Sequence, residues 1–273
     1  MPEKHHPSLV IPQGGIPKFT NPVEQRKWQL EHHVAAFRYF ARVGFLEGTS
    51  GRISMRDLEH KNTFWVNPLF VPWALMQVSD LIQVDVDNKR IGGNPTHPID
   101  ENGFTVHAAI YALRPDVNSV AHTHTIYGKT WSTFGRTLDM LTQDICKVYK
   151  AHAVYGTYGG IVYGKSEGEK IANTLGLTNK ALLLQSHGLL TVGNTVDEAA
   201  YMFGVVDRGC QVQLLAESVG PRIVIEDDQA LGNFKYASGA EFLYDQFQPY
   251  YLYELLNRMI RITPESLLVE EDS

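Results

Sequence analysis

The sequence has few of the features that mark secreted or membrane-bound proteins. It contains only two cysteines, Cys146 and Cys210, and they lie too far apart to form a CxxC pattern. This argues against a disulfide framework and favours a reducing compartment. No run approaches the roughly 18 consecutive apolar residues of a transmembrane helix, and residues 1–20 lack the apolar segment of a signal peptide. We therefore expect a cytoplasmic protein that has no membrane partner.

Positive charge and nucleotide-binding motifs are also lacking. The chain has 24 Lys and Arg against 30 Asp and Glu, a net charge of −6, which argues against a nucleic-acid partner. Neither a GxGxxG motif nor a Walker loop occurs, so nucleotide-binding folds are disfavoured. No internal repeat or linker is visible. The sequence predicts an irregular arm over residues 1–20 and a single domain over residues 21–273, which includes an aromatic-rich C-terminal extension.

Helical and strand-like segments alternate along the rest of the chain. The predicted helices cover 21–43, 104–113, 126–134, 167–175 and 195–218, and another begins near Gly239. The predicted strands lie near 52–56, 63–66, 81–86, 118–124, 161–163, 180–185 and 190–192, and residues 226–228 form an acidic turn. Because several neighbouring strands have hairpin spacing, the pattern favours a mixed α/β or α+β layer over a doubly wound sheet.

Three histidines are candidate metal ligands. In an extended strand, His122 and His124 lie on the same face about 7 Å apart, which is close enough to share one ion. His187 follows a short apolar run and precedes a glycine, where a strand end can present one more side chain. Three neutral imidazoles suit zinc, iron, nickel or copper and leave coordination positions open. Spacing alone is also compatible with structural histidines.

A turn rich in small residues precedes the first predicted strand. Thr49 and Ser50 stand between two glycines, so their hydroxyls and the backbone N–H groups could hold an anion, although such segments are often only turns. Arg52 follows in the strand, and Asn67 ends the next strand before a proline. These four residues, Thr49, Ser50, Arg52 and Asn67, are the candidate substrate-binding residues.

The histidines lie within longer motifs that occur in a fixed order. The sequence contains VHAAIY at 106–111, RPDV at 114–117, HTH at 122–124, LLLQSHGL at 182–189 and VGNTVDEA at 192–199. In these motifs, residues 103–217 resemble the class II aldolase/adducin family, and residues 48–56 and 67–68 match it more weakly. The combination of HTH and SHG at this spacing is far more specific than either motif alone.

The resemblance implies a fold, a metal and an assembly. The implied fold is a three-layer α/β/α arrangement around a central, mainly antiparallel sheet. A divalent metal would be held by His122, His124 and His187, with zinc the expected ion and iron(II) or manganese as alternatives. In the sugar-phosphate members, the metal polarises a carbonyl and stabilises an enediolate. The resemblance also implies a homotetramer with active sites at subunit interfaces.

The sequence departs from the family pattern where the family has its acid/base residue. An ungapped count places Gly103 where the aldolases have glutamate and the epimerases aspartate. Glu101 or Asp100 could replace it if the loop is reshaped, although two residues span several ångströms of backbone. In the alternative interpretation, both acids only place negative charge at the start of the helix near Phe104, where it stabilises the helix dipole. Glu101 is retained as a candidate catalytic residue.

Two further departures concern the substrate and the neighbouring polar groups. Arg52 stands where the aldolases have asparagine, and Leu69 and Phe70 replace a pair of small residues, which argues against a standard sugar phosphate. Arg52 could instead bind a carboxylate through two parallel hydrogen bonds. The aldolase tyrosine corresponds to Gln143, so Asp144 beside it and Tyr127 beside the HTH motif are candidate catalytic residues or, alternatively, structural ones.

Three functions remain open from the sequence. The leading hypothesis is a divalent-metal-dependent lyase that performs aldol cleavage, decarboxylation or epimerisation through a metal-bound enolate of a small carbonyl or carboxylate compound. The second is an iron(II)-dependent oxygenase that acts on an aromatic or keto acid. The third is a non-catalytic, adducin-like interaction protein, which the glycine at position 103 favours and the three retained histidines oppose.

Overall fold

The computed structural model describes residues 14–100, 102–160 and 164–260. Most of the predicted arm, residue Glu101 and the predicted strand at 161–163 therefore lie outside the described residues. The helices are α1 (Pro22–Arg42), α2 (Thr105–Leu113), α3 (Ile126–Ser132), α4 (Lys165–Leu175), α5 (Val196–Val219), α6 (Asp227–Ala237) and α7 (Ala240–Ile260). Short 3-10 helices cover Trp73–Leu75, Val78–Asp80 and Ile145–Val148.

Within these described residues, eight strands form one sheet. They are β1 (Arg52–Arg56), β2 (Phe64–Val66), β3 (Ile82–Val84), β4 (Arg90–Gly93), β5 (Ser119–Thr123), β6 (His152–Tyr155), β7 (Ala181–Leu184) and β8 (Gly188–Gly193). Their spatial order is β4-β3-β2-β1-β5-β8-β7-β6. Every neighbouring pair is antiparallel except β6 and β7, which are parallel. The prediction of a mainly antiparallel central sheet is confirmed.

Each face of the sheet carries its own apolar core. Helices α1, α5 and α7 contribute aromatic side chains to one cluster, among them Phe37, Phe203 and Phe247. A second cluster contains side chains of α2 and α4, among them Ile110 and Leu175. Adjacent strand residues divide between the two clusters, as expected when side chains alternate across a sheet. The protein therefore has the three-layer α/β/α fold that the resemblance implies.

Some elements differ from the sequence prediction. The acidic segment at 226–228, predicted to be a turn, is the start of α6. Asp227 and Asp228 lie in the first helical turn, where negative charge stabilises the positive end of the helix dipole. Strands β4 and β6 were not predicted. Both lie at an edge of the sheet, and the residues of β6 are only half-buried. The parallel pairing of β6 with β7 makes the sheet mixed.

The register of the central strands determines what meets at one end of the sheet. Arg52 of β1 pairs with His122 of β5, and Thr123 pairs with Leu189 of β8. The turn between β7 and β8, which contains His187, therefore lies beside the end of β5. In the described part of the chain, no helix is sufficiently long and apolar to span a membrane.

Candidate metal centre

Three imidazoles converge at this end of the sheet. His122 lies on β5, His124 follows the end of that strand, and His187 lies in the turn between β7 and β8. One ring nitrogen from each histidine lies within 4.8 Å of the others. The ring centroids are 5.1 Å apart for His122 and His124, 4.8 Å for His122 and His187, and 4.6 Å for His124 and His187. This spacing allows all three to contact one ion.

The surroundings of the histidines favour the neutral, metal-binding form. His122 Nδ1 donates a hydrogen bond to the Leu189 carbonyl at 2.7 Å, which leaves Nε2 with its lone pair free to bind a metal. Burial, followed by the neighbouring histidines, lowers the pKa of His122 well below its usual value. Burial and then His124 lower the pKa of His187 to about 4. Three neutral nitrogen donors in this arrangement fit a divalent ion such as zinc or iron(II).

A tight turn shapes the backbone at this site. Ser186, immediately before His187, has a φ of 55°, which non-glycine residues seldom adopt. The His187 amide closes the turn by donating to the Leu184 carbonyl at 3.0 Å. The next residue, Gly188, approaches β5 so closely that a Cβ would lie 2.7 Å from the Thr123 carbonyl oxygen. A glycine after the histidine is therefore required for the turn to pack against the strand.

The loop before β1 also depends on a glycine. Gly51 has a φ of 118°, and a Cβ there would lie 2.8 Å from Thr123 Cγ2 and 2.9 Å from the His122 carbonyl oxygen. Only glycine tolerates both the backbone conformation and this close approach. Gly51 therefore holds the loop containing Ser50 against the strand that contains His122.

We expect Gly51→Ala to destabilise the protein by about 2–4 kcal/mol, because positive-φ strain adds to a steric clash. Gly48→Ala is the matched control, since Gly48 also has a positive φ of 59° but no atom lies within 4 Å of a Cβ there. That control should cost only about 1–2 kcal/mol. Urea unfolding measures both values, and equal losses would show that the close approach to His122 contributes nothing.

Arg52 is a buried cation with unused hydrogen-bond donors. Its side chain is 3% exposed, and its Nη2 donates to the Asp100 carbonyl at 3.2 Å and lies 3.4 Å from Asp100 Oδ2. Among the described residues, its Nε and Nη1 are buried without a partner. Burial lowers the pKa of Arg52, with Asp100 opposing that effect, but an arginine remains charged in proteins. Unpaired donors on a buried cation are costly, so an anionic ligand would be stabilised there.

Asp100 lies in the space beside Gly103. A Cβ at position 103 would collide with the Asp100 carboxylate, and it would lie 2.8 Å from Arg52 Nη2. The loop between β4 and α2 is therefore folded so that Asp100 reaches the position from which a side chain at 103 would project. Among the described residues, Asp100 is the carboxylate that lines the cavity next to the histidines. Glu101 lies outside the described residues.

The histidines open into a cavity of about 330 Å³. Its wall includes polar and charged residues together with three apolar residues, Val106, Leu184 and Leu190; the polar and charged ones are Ser50, Arg52, Asp100, Asn102, His107, His122, His124, Tyr158 and His187. A larger cavity of about 640 Å³, between α2, α4 and the β3–β4 hairpin, contains none of the three histidines. We regard the smaller one as the candidate active site, because the metal-binding groups and the buried arginine meet there.

The structure brings together some of the sequence-predicted site residues and separates others. Ser50 and Arg52 line the cavity, whereas exposed Thr49 and buried Asn67 are not part of its wall. Tyr127 is 37% exposed at the start of α3 and is also outside the wall.

Asp144 is likewise separate from the cavity. Its side chain is 80% exposed and forms an ion pair with Lys147 at 2.9 Å. The roles of Thr49, Asn67, Tyr127 and Asp144 stay predictions.

His107 and Tyr158 line the cavity but were not among the predicted site residues. A polar signal for His107 was present, because it stands in the otherwise apolar segment VHAAIY at 106–111. Tyr158 lies in a loop with no local pattern that indicates a site.

Comparison with known proteins decides the family. The profile of the "Class II Aldolase and Adducin N-terminal domain" matches residues 31–214. The chain belongs to the class II aldolase/adducin family. The resemblance found in the sequence motifs is thereby confirmed, and it extends over two thirds of the chain.

Two curated relatives and one solved structure illustrate the range of this family. The chain is 42% identical over 244 residues to meiotically up-regulated gene 14 protein of Schizosaccharomyces pombe, covering 88% of this chain and 94% of that protein. It is 42% identical over 206 residues to 4-hydroxy-3-prenylphenylpyruvate oxygenase/4-hydroxy-3-prenylbenzoate synthase of Streptomyces roseochromogenus subsp. oscitans, covering 75% and 73%. L-fuculose 1-phosphate aldolase from Glaciozyma antarctica superposes with a TM-score of 0.84 at 38% identity, covering 90% and 95%.

Proposed function

We propose that this protein is a divalent-metal-dependent lyase that acts on a small carbonyl or carboxylate compound other than a standard sugar phosphate. The observation that supports this most is the meeting of three neutral imidazoles and a buried, incompletely paired arginine in one cavity. His122, His124 and His187 would hold the ion, which would supply Lewis-acid chemistry at a substrate carbonyl oxygen. Zinc is the proposed ion, with iron(II) and manganese as alternatives.

Arg52 would bind the substrate carboxylate. Its free Nε and Nη1 lie on opposite edges of the guanidinium, and one of them, together with the second N–H of Nη2, can donate two parallel hydrogen bonds to one carboxylate, a geometry that lysine cannot reproduce. Because the side chain is already held by Asp100 and by burial, little conformational entropy would be lost on binding. The arginine would orient the substrate so that its reacting carbon faces the histidines.

Asp100 is the proposed proton-transfer group. It lines the same cavity, and its side chain is 40% exposed, so water can exchange a proton with it. Asp100→Asn would remove this function while preserving the shape of the side chain. A variant that retains the wild-type kcat would show that another group moves the proton, with Glu101 the first alternative.

Metal analysis tests the proposed function directly. Protein purified without added metal should contain about one equivalent of a divalent transition metal for each chain, as measured by inductively coupled plasma mass spectrometry. Dialysis against a chelator should remove the ion together with any turnover, and zinc, iron(II) or manganese should restore both to different extents. Protein that neither contains nor takes up a divalent ion would rule out the lyase.

An iron(II)-dependent oxygenase is the second candidate, and the similarity to the prenylphenylpyruvate oxygenase favours it. A site of three histidines leaves positions on the ion open for a further ligand. Anaerobically loaded iron(II) protein, mixed with phenylpyruvate in an oxygen electrode, separates the two candidates. Oxygen consumption coupled to formation of an oxidised product would support the oxygenase, whereas carbon dioxide and an unoxidised product formed without oxygen would support the lyase.

We also propose that the chain forms a homotetramer whose active sites include residues of neighbouring subunits. Tyr127 and Asp144 are both exposed to solvent, which leaves them available for contact with another copy of the chain. Their proposed catalytic roles depend on such an assembly. Light scattering coupled to size-exclusion chromatography gives the mass in solution, and a monomer would exclude both roles.

A further inference from the structure

His107 presents a hydrogen-bonding group that the proposed function does not yet use. Its side chain lies on α2, is 1% exposed and lines the cavity beside the three histidines. Its Nδ1 lies 2.7 Å from Ser54 Oγ, and Ser54 Oγ lies 2.8 Å from the Tyr111 hydroxyl. Its other nitrogen, Nε2, is buried and has no partner in the described residues.

The contact with Ser54 fixes the orientation of the ring. Because Nδ1 is held by Ser54, rotation of the imidazole would break a buried hydrogen bond, and Nε2 remains the only nitrogen available to a ligand. A buried nitrogen without a partner costs free energy, which a ligand oxygen would recover. Tyr111 is itself buried, so the anchor has little freedom to move.

Arg52 and His107 belong to one wall of the cavity. Arg52 and Ser54 are two residues apart on β1, so their side chains lie on the same face of the strand. Ser54 holds the His107 ring there. Burial, and then the Arg52 charge, lower the pKa of His107, so the ring is neutral at pH 7 and adds a hydrogen bond without adding a charge.

We propose that His107 Nε2 hydrogen-bonds the oxygen on the carbon next to the substrate carboxylate. The site would then select 2-oxo and 2-hydroxy carboxylates over carboxylates that lack this oxygen. This inference rests on the proposed function, in which Arg52 binds the carboxylate. His107 is a specificity-determining residue, and Ser54 and Tyr111 hold it in place.

The arrangement of donors argues for this class of substrate. A carboxylate takes two parallel N–H groups on one edge of the Arg52 guanidinium, and one neutral neighbouring oxygen takes the single group of His107. A phosphate would present several charged oxygens, whereas Arg52 is the one cation among the described residues that line the cavity. The cavity volume of about 330 Å³ is at the lower end of the range for small-ligand sites, which suits an acid of this size.

Three acids with the same carbon skeleton test the proposal: phenylpyruvate, phenyllactate and 3-phenylpropionate. They differ only in the oxygen next to the carboxylate. Calorimetric titration of the zinc-loaded protein gives the Kd for each acid. We expect the wild type to bind the two oxygen-bearing acids at least tenfold more tightly than 3-phenylpropionate, which corresponds to one well-formed hydrogen bond to a buried group.

Two substitutions distinguish the roles of the two ring nitrogens of His107. In His107→Asn, the side-chain amide can replace Nδ1 at Ser54, but nothing replaces Nε2. This variant should lose most of the preference and still bind 3-phenylpropionate as the wild type does. In His107→Gln, the amide reaches the position of Nε2, so part of the preference should return. Zinc content, measured on every sample, must be equal so that any contribution of the ion cancels.

The outcomes distinguish this inference from the proposed function. A wild type that binds all three acids equally, or none of them, overturns the inference. The inference is also overturned if His107→Asn keeps the wild-type preference for the oxygen-bearing acids, or if His107→Gln recovers none of that preference. In each case, bound zinc leaves the lyase proposal intact, whereas absence of zinc from the wild type contradicts the lyase itself. Thermal unfolding of each variant checks that the fold is retained.

Discussion

His122→Ala is expected to lose the bound metal and to lower kcat/KM by about 1,000-fold or more, since the ion would supply several kcal/mol of transition-state stabilisation. Of the three imidazoles, His122 is the one fixed by a hydrogen bond to a neighbouring strand, at the Leu189 carbonyl. His124 and His187 would remain, and two ligands alone would hold an ion weakly. Metal analysis and steady-state kinetics with the substrate identified by screening measure the two losses.

His152→Ala is the matched control for this substitution. His152 also lies on a strand of the sheet, but its Nδ1 contacts the Val148 carbonyl at 2.8 Å and its Nε2 accepts from the Leu138 amide at 3.0 Å. Because both ring nitrogens are used, it cannot bind a metal without rearrangement. The control should therefore keep its metal while losing some stability. Retention of metal and turnover in His122→Ala would contradict the assignment of the metal centre.

Most strands of the sheet and the common side of His122 and His124 could be predicted from the sequence, because both depend on short-range pattern. His122 and His124 alternate with apolar residues in one strand, so their common side follows from strand geometry alone. His187 could be placed beside them only from the ordered family motifs, because the local sequence does not indicate which strand lies next to the turn at 185–187. The pairing of β8 with β5 supplies that information.

The placement of Asp100 and His107 could not be predicted in the same way. Counting along the chain places Asp100 several ångströms of extended backbone before position 103, so it could occupy that space only if the loop is reshaped. The loop before α2 is folded instead, and it places the Asp100 carboxylate against Gly103. The free nitrogen of His107 is equally invisible in the sequence, because it depends on the contact of Nδ1 with Ser54 on another strand.

Arg52→Met is expected to weaken binding of 3-phenylpropionate about 100-fold without changing the metal content. The carboxylate is the only group of that acid that can form hydrogen bonds in the cavity, and hydrogen bonds to a charged group contribute about 1.5–3 kcal/mol. Arg52→Lys should recover only part of the affinity, because an ammonium cannot donate two parallel hydrogen bonds. Calorimetric titration of the zinc-loaded variants measures the three Kd values.

Arg56→Met provides the control, since Arg56 lies on the same strand and is also buried. Its donors are used by backbone carbonyls: Nε contacts Val117, Nη1 contacts Lys61 and Nη2 contacts Tyr111. Its loss should leave the Kd unchanged and destabilise the fold by about 2–3 kcal/mol, because three carbonyls lose their donors and two of these contacts are buried.

Arg52→Met should have the opposite effect on stability. It removes a buried cation whose Nε and Nη1 have no partner, and its ion-pair partner Asp100 is 40% exposed and can be hydrated instead. The free energy of unfolding should therefore stay equal or rise by about 1 kcal/mol. Urea unfolding measures this, and a large loss of stability in Arg52→Met would mean that the arginine serves the fold. A more stable protein that no longer binds the carboxylate would mean that Arg52 is retained at a cost in stability for its ligand.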